Sequence, residues 1–181
     1  MNNLISLLQK IHVPPPYILV GHSHGGLFVQ YLALKKPSMV SGMILVDSST
    51  TQMIEKWFHF REDSLRNIRS KANQDPHYYE LLGTKSTAEA VKNNIEAKGV
   101  HPFQAIPMAV LTADHHNKDI EKFTPLMEND WQIFQHLLTQ SSTNSYQIIA
   151  YKSGHFIQMD QPDLVIDAIY TMTRIKEVNG D

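Results

Sequence analysis

Cysteine is absent from this 181-residue chain, which excludes disulfides, thiolate metal sites and a cysteine nucleophile together. An excess of either charge is also missing. The formal net charge is −2 with both signs interspersed, so no basic field draws nucleic acid and no acidic tail solvates a partner. No apolar run approaches the ~20 residues that cross a bilayer. The opening residues, Met1 to Lys10, lack the basic region, apolar block and small-residue cleavage site of a signal peptide. These absences predict a cytoplasmic chain with no nucleic-acid and no membrane partner, acting on a small neutral molecule. The length suits a single domain with a real core over 1–181, and no internal repeat or low-complexity segment appears.

What is present is concentrated in Tyr17-Ile18-Leu19-Val20-Gly21-His22-Ser23-His24-Gly25-Gly26, where one serine stands between glycines after a strand-like run and before a helix-like one. This G-x-S-x-G pattern is a nucleophile elbow, a turn that lifts the serine hydroxyl out of the carboxyl end of a sheet. The turn is so tight that Gly21 and Gly25 are expected to be the positions that must lack side chains. The helix that follows offers free N–H groups and a positive dipole end, which makes the His24 N–H a candidate oxyanion donor beside Ser23.

The rest of the chain alternates strand and helix signals, which argues for a parallel sheet in an α/β fold with flanking helices. An amphipathic helix to about Lys10 precedes Pro14-Pro15-Pro16. A helix with an apolar face of Leu27, Phe28, Tyr31, Leu32 and Leu34 should end near Lys35-Lys36, before Pro37. Strand-like runs at Gly42–Val46, Pro107–Leu111 and Tyr146–Tyr151 lead to Asp47, to Asp114 and to Gly154-His155. Helices are expected over about Leu126 to Leu138, with Trp131, Phe134, Leu137 and Leu138 inward, and after Pro162, with Val165, Ala168, Ile169 and Met172 buried. Between them, approximately 50–103 reads as a helical lid insertion. Met53, Ile54, Trp57 and Phe58 share one helix face there, while Ala88, Val91 and Ile95 share another that Gly99 can end, and Phe60, Tyr78 and Tyr79 complete an aromatic cluster.

A serine hydroxyl needs an imidazole to take its proton and a carboxylate to hold that imidazole in the right tautomer. His155, in the loop after the last strand, is the candidate base. Asp114 and Asp47 both end strands at the same sheet edge and both precede His155 in the chain. Asp114 is preferred, because its strand should lie next to the one that delivers His155; Asp47 is the alternative and Asp119 a remote third. His22 and His24 flank the serine, and His115-His116 stand as a pair, but residues at a tight turn point apart and adjacent histidines are usually solvated, so no metal site and no cofactor is expected.

The chain resembles the α/β-hydrolase superfamily in its lid-bearing, esterase-like branch. Val20-Gly21-His22-Ser23-His24-Gly25-Gly26 is similar to its elbow, Ile44-Leu45-Val46-Asp47 to its sixth strand, and Ser153-Gly154-His155 with Asp160-Gln161-Pro162 to its histidine loop and final helix. The resemblance implies a serine hydrolase that cleaves an ester or related acyl substrate, with Ser23 as nucleophile, His155 as base and His24 in the oxyanion hole. It places the acid a little past Asp114, near His115 and His116, or after the sixth strand at Asp47. It also implies that the family's first strands and its His-Gly oxyanion loop are lost here. From that loss follow three further expectations: weak activity or a non-catalytic binding role, self-association, or a complementing N-terminal segment.

Overall fold

A computed structural model describes residues 2–59, 76–116 and 123–178. Four parallel strands form the sheet, in the spatial order of their sequence: β1 (Tyr17–His22), β2 (Val40–Val46), β3 (Met108–Ala113) and β4 (Ser145–Ala150). Each is linked to the next by helix, as parallel pairing requires. The register sets Val20 against Ile44, Ile44 against Ala109, and Ala109 against Tyr146, so the carboxyl ends of all four strands open on one edge.

Side chains alternate along each strand, and both faces are covered, which explains why β2 and β3 read as unbroken apolar runs. On one face Met43, Leu45, Met108 and Val110 pack with Val29, Leu32 and Ala33 of α2 (His24–Lys35). On the other, Ile44, Val46, Ala109 and Leu111 pack with Ala168 and Met172 of the last helix, α7 (Pro162–Val178), which follows the short α6 (Ile157–Asp160). The predicted helix at the N-terminus is α1 (Asn2–Lys10), of which Ile5 touches the core while Leu4 and Leu7 lie exposed.

Between β2 and β3 run α3 (Thr51–His59) and α4 (Pro76–Lys98). Val91 and Ile95 of α4 join the core cluster beside α2, so the carboxyl half of α4 covers the sheet as a crossover helix does. Gly99, at φ 86, takes the left-handed conformation that closes α4 and donates its N–H to Ile95 O. The side chains of Trp57, Phe58, Phe60, Tyr78 and Tyr79 lie outside the described residues, as does Asp119. In α5 (Pro125–Thr139) the Thr124 hydroxyl caps the first turn by accepting from Met127 N. Two predicted inward residues face out instead: Phe28 is 53% exposed and Leu137 43% exposed. On both helices the buried face carries polar residues in their place, Gln30 and Gln135, and each reaches for the loop after β2.

Candidate active site

Ser23 joins β1 to α2 with φ 51 and ψ −125, a conformation a non-glycine residue holds only where its surroundings fix it. They do so on three sides. The Ser23 N–H donates to Val46 O, and the Ser23 carbonyl accepts from Gly26 N and Ser49 N. A Cβ on Gly21 would lie 2.7 Å from Gly25 O, and one on Gly26 would lie 1.8 Å from Ser48 Oγ, whereas one on Gly25 would meet nothing within 4 Å. The glycines that the fold demands are therefore Gly21 and Gly26; the expectation for Gly25 is corrected. The cause is the close approach of the β2–α3 loop, which presses on α2 one residue later than the motif suggests.

His155 Nε2 lies 3.0 Å from Ser23 Oγ, and His155 Nδ1 lies 2.7 Å from a carboxylate oxygen. That carboxylate is Asp47 Oδ2. Asp114 does not reach His155: its oxygens accept from His115 Nδ1 and from Lys152 N. The structure thus brings Asp47, the alternative, to His155 in place of the preferred Asp114, and the reason is geometric. Asp47 adopts φ 42, which turns its side chain sideways over the end of β3, where Oδ1 accepts the Ala113 N–H at 3.0 Å. The carboxylate spans the strand lying between β2 and the histidine loop. Partial burial would raise the Asp114 carboxyl, but the Lys152 N–H and His115 outweigh it and hold it below its ordinary range.

Asp47 is fully buried and accepts four hydrogen bonds: His155 and His116 on Oδ2, the Trp131 indole N–H and Ala113 N–H on Oδ1. Burial alone would raise its carboxyl; the hydrogen bonds from His116 and His155 win, and the group stays ionised below its ordinary value. Its loop is pinned from both flanks. Gln30 Nε2 donates to Ser49 O, and Gln135 Nε2 donates to Ser48 O at 2.6 Å. His22, next to the serine, lies 2.9 Å through Nε2 from the His155 carbonyl, so it bonds the backbone of the histidine loop. Burial, only partly offset by that hydrogen bond, lowers its proton affinity and favours the neutral ring.

His116 was expected to be solvated and is instead wholly buried, with Phe123 stacked on it and Trp131 beside it. Its partner Glu128, one turn into α5, drew no attention in the sequence, and Trp131 registered only as an apolar residue. The Thr124-Pro125 start of α5 fixes where Glu128 falls, but nothing local says which ring it will meet. Asp47, His116 and His155 together offer three ligand atoms within 4.8 Å of one another. Both imidazole contacts to Asp47 Oδ2 measure 2.7 Å, the length of charge-assisted hydrogen bonds, and the arrangement is read as such.

Comparison with known proteins agrees with this architecture. Residues 1–78 match the family described as alpha/beta hydrolase fold. The chain has the α/β-hydrolase fold. A solved structure of Est816, described as an N-acyl homoserine lactone degrading enzyme, superposes with a TM-score of 0.58 at 17% identity, over 94% of this chain and 72% of that one. MGS-MChE2, an alpha/beta hydrolase enzyme from a lagoon-sediment metagenome of Mar Chica, Morocco, gives 0.57 at 14% identity over 97% of this chain and 68% of its own. A hydrolase from Pseudomonas aeruginosa PA01 gives 0.57 at 13% identity, over 95% and 69%. At these identities the likeness is one of fold. Among curated proteins, the uncharacterized protein YqjL of Bacillus subtilis (strain 168) is 28% identical over 170 residues, 94% of this chain. This chain spans 62% of the length of that relative.

Proposed function

We propose that this chain is a serine hydrolase that cleaves an ester or related acyl compound, with Ser23 as nucleophile, His155 as general base and acid, and Asp47 as the carboxylate that orients His155. The observation that carries the proposal is the unbroken line Ser23 Oγ, His155 Nε2, His155 Nδ1, Asp47 Oδ2, with contacts of 3.0 and 2.7 Å. Ser23 Oγ attacks the acyl carbon while its proton passes to His155 Nε2, and charge develops on the carbonyl oxygen. The His24 N–H, at the first residue of α2, is the donor nearest in sequence to that oxygen. The carbon–oxygen bond to the leaving group then breaks, His155 gives its proton to the departing alcohol, and water repeats the sequence to free the acid. Side chains and water suffice for every step.

The reaction class includes lactones, since a lactone is an internal ester; the activity named for Est816 falls within it. The lid is proposed to bound the acyl pocket through α3, whose Met53 packs with Trp131. A weakly active or non-catalytic binding role is the second reading. It is favoured by β1, which pairs with β2 alone among the described residues and leaves Val20 46% exposed. Such an edge accepts another strand, from a second copy or from a complementing N-terminal segment.

One experiment separates the readings. Incubation with a fluorophosphonate followed by peptide mass mapping should give a single adduct on Ser23, lost in His155→Ala as well as in Ser23→Ala. An unmodified Ser23 in folded protein would favour the non-catalytic reading.

A further inference from the structure

Asp47 serves two histidines, and the triad uses only one of them. The other, His116, places Nε2 2.7 Å from Asp47 Oδ2 and Nδ1 3.0 Å from Glu128 Oε1. Its backbone N–H also donates to Glu128 Oε2, at 2.9 Å. A neutral imidazole has one donor and one acceptor, so it can satisfy one carboxylate and must turn a lone pair on the other. Two carboxylates on opposite ring nitrogens call for two N–H groups. Among the described residues the ring is otherwise faced by Phe123, Trp131 and the His155 imidazole, none of which supplies an anion, while the nearby Asp114 is engaged by His115.

We propose that His116 is a positioning residue, an imidazolium clamped between Asp47 and Glu128, that fixes the Asp47 carboxylate for His155 and tempers its charge. The proposal rests on the triad reading above and extends it from three residues to five. Burial by itself would strip the proton from this ring, and the hydrogen bonds and charges of Asp47 and Glu128 more than reverse that, so its proton is held above the ordinary histidine range. Two consequences follow. Oδ2 is shared, so the oxygen that orients His155 cannot rotate away without breaking a buried ion pair. The positive charge also dilutes the field of Asp47 at His155. Glu128, 23% exposed, supplies the counter-charge that keeps the proton on His116.

Long-range proton–nitrogen spectra of the full, nitrogen-15-labelled chain test the clamp without any substrate, with His116 identified by its disappearance in His116→Gln. Both ring nitrogens should be protonated at pH 7. In Glu128→Gln the ring should lose its proton at lower pH. In His116→Gln the hydrogen-bonded Nδ1 proton of His155 should move downfield as Asp47 becomes a stronger acceptor. A bare ring nitrogen on His116 at pH 7, or an unmoved midpoint in Glu128→Gln, would overturn the proposal. The kinetic arm follows fluorophosphonate labelling of Ser23 against pH. In His116→Gln labelling should be roughly tenfold slower, because Asp47 is no longer held in place for His155; a superimposable profile would also overturn it. If Ser23 of the natural chain does not label at all, the hydrolase reading fails on that result, and the spectra decide the clamp by themselves. Should His116→Gln not fold, Glu128→Gln carries the spectral test.

Discussion

Asp47 carries more of the proposed chemistry than its place at the end of β2 suggests, because four donors converge on it and it is itself buried from solvent. An ionised buried carboxylate is tolerable only with such company. In the proposed mechanism Ser23 and His155 work through it as a unit, so Ser23→Ala and His155→Ala should each remove nearly all ester hydrolysis, and the double variant should lose little more. Initial rates of the three variants check this; multiplicative losses would contradict it. The same cluster sets a pH dependence of stability. His116 holds its proton more tightly folded than unfolded, so its contribution is complete below the ordinary value of 6.5 and is lost as pH rises through its higher folded value. Asp47 does the opposite, contributing above 3.8 and losing that contribution as pH falls through its lower folded value. Thermal melts should therefore show stability declining on the alkaline side of 6.5, less so in His116→Gln, and a decline equal in both chains would be contrary. Ser23 and His155 were legible from motif and chain order. The carboxylate that meets His155 was not, because strand adjacency argued for Asp114, and only the left-handed Asp47 backbone carries its side chain across β3.

The elbow and the β2–α3 loop form one packed element. Ser48 fills the space that a side chain at Gly26 would need, and the Ser49 N–H holds the Ser23 carbonyl. Gly26→Ala should cost about 1–3 kcal/mol by overpacking, whereas Gly25→Ala should be neutral or stabilising within a helix. Melting temperatures of the two variants check the contrast, and equal effects would show that the loop yields. The strands were legible because a parallel sheet covered on both faces buries nearly every residue of its central strands, and the final helix because Pro162 and Asp163 mark its start. Helix faces were less so. Phe28 and Leu137 lie on predicted apolar stripes, yet the fold turns Gln30 and Gln135 inward to bond the loop that holds Asp47. A polar residue recruited by a distant backbone carbonyl leaves no periodic trace.

At the scale of the whole molecule, the described residues form a four-stranded sheet whose β4 end carries His155 and whose β1 end is an apolar edge. Leu4 and Phe28, both exposed, line a cavity of about 460 Å³ with Tyr31, Leu32 and Ala90 on the same side of the molecule as α1 and α2. Self-association through β1 is the expected result, and Val20→Lys should reduce it, because a lysine on an edge strand opposes strand addition. Size-exclusion chromatography across a concentration series checks this; a natural chain that stays monomeric throughout would defeat it. The central claim, that Asp47 completes the triad, has a more direct test. Ester turnover is compared in Asp47→Asn and Asp114→Asn, with folding of each verified by circular dichroism. An asparagine at the orienting position favours the wrong imidazole tautomer, a loss of about 10⁴ in a well-studied triad. Asp47→Asn should fall by that order while Asp114→Asn stays within a few-fold of the natural chain; a crippled Asp114→Asn beside a near-normal Asp47→Asn would contradict the account.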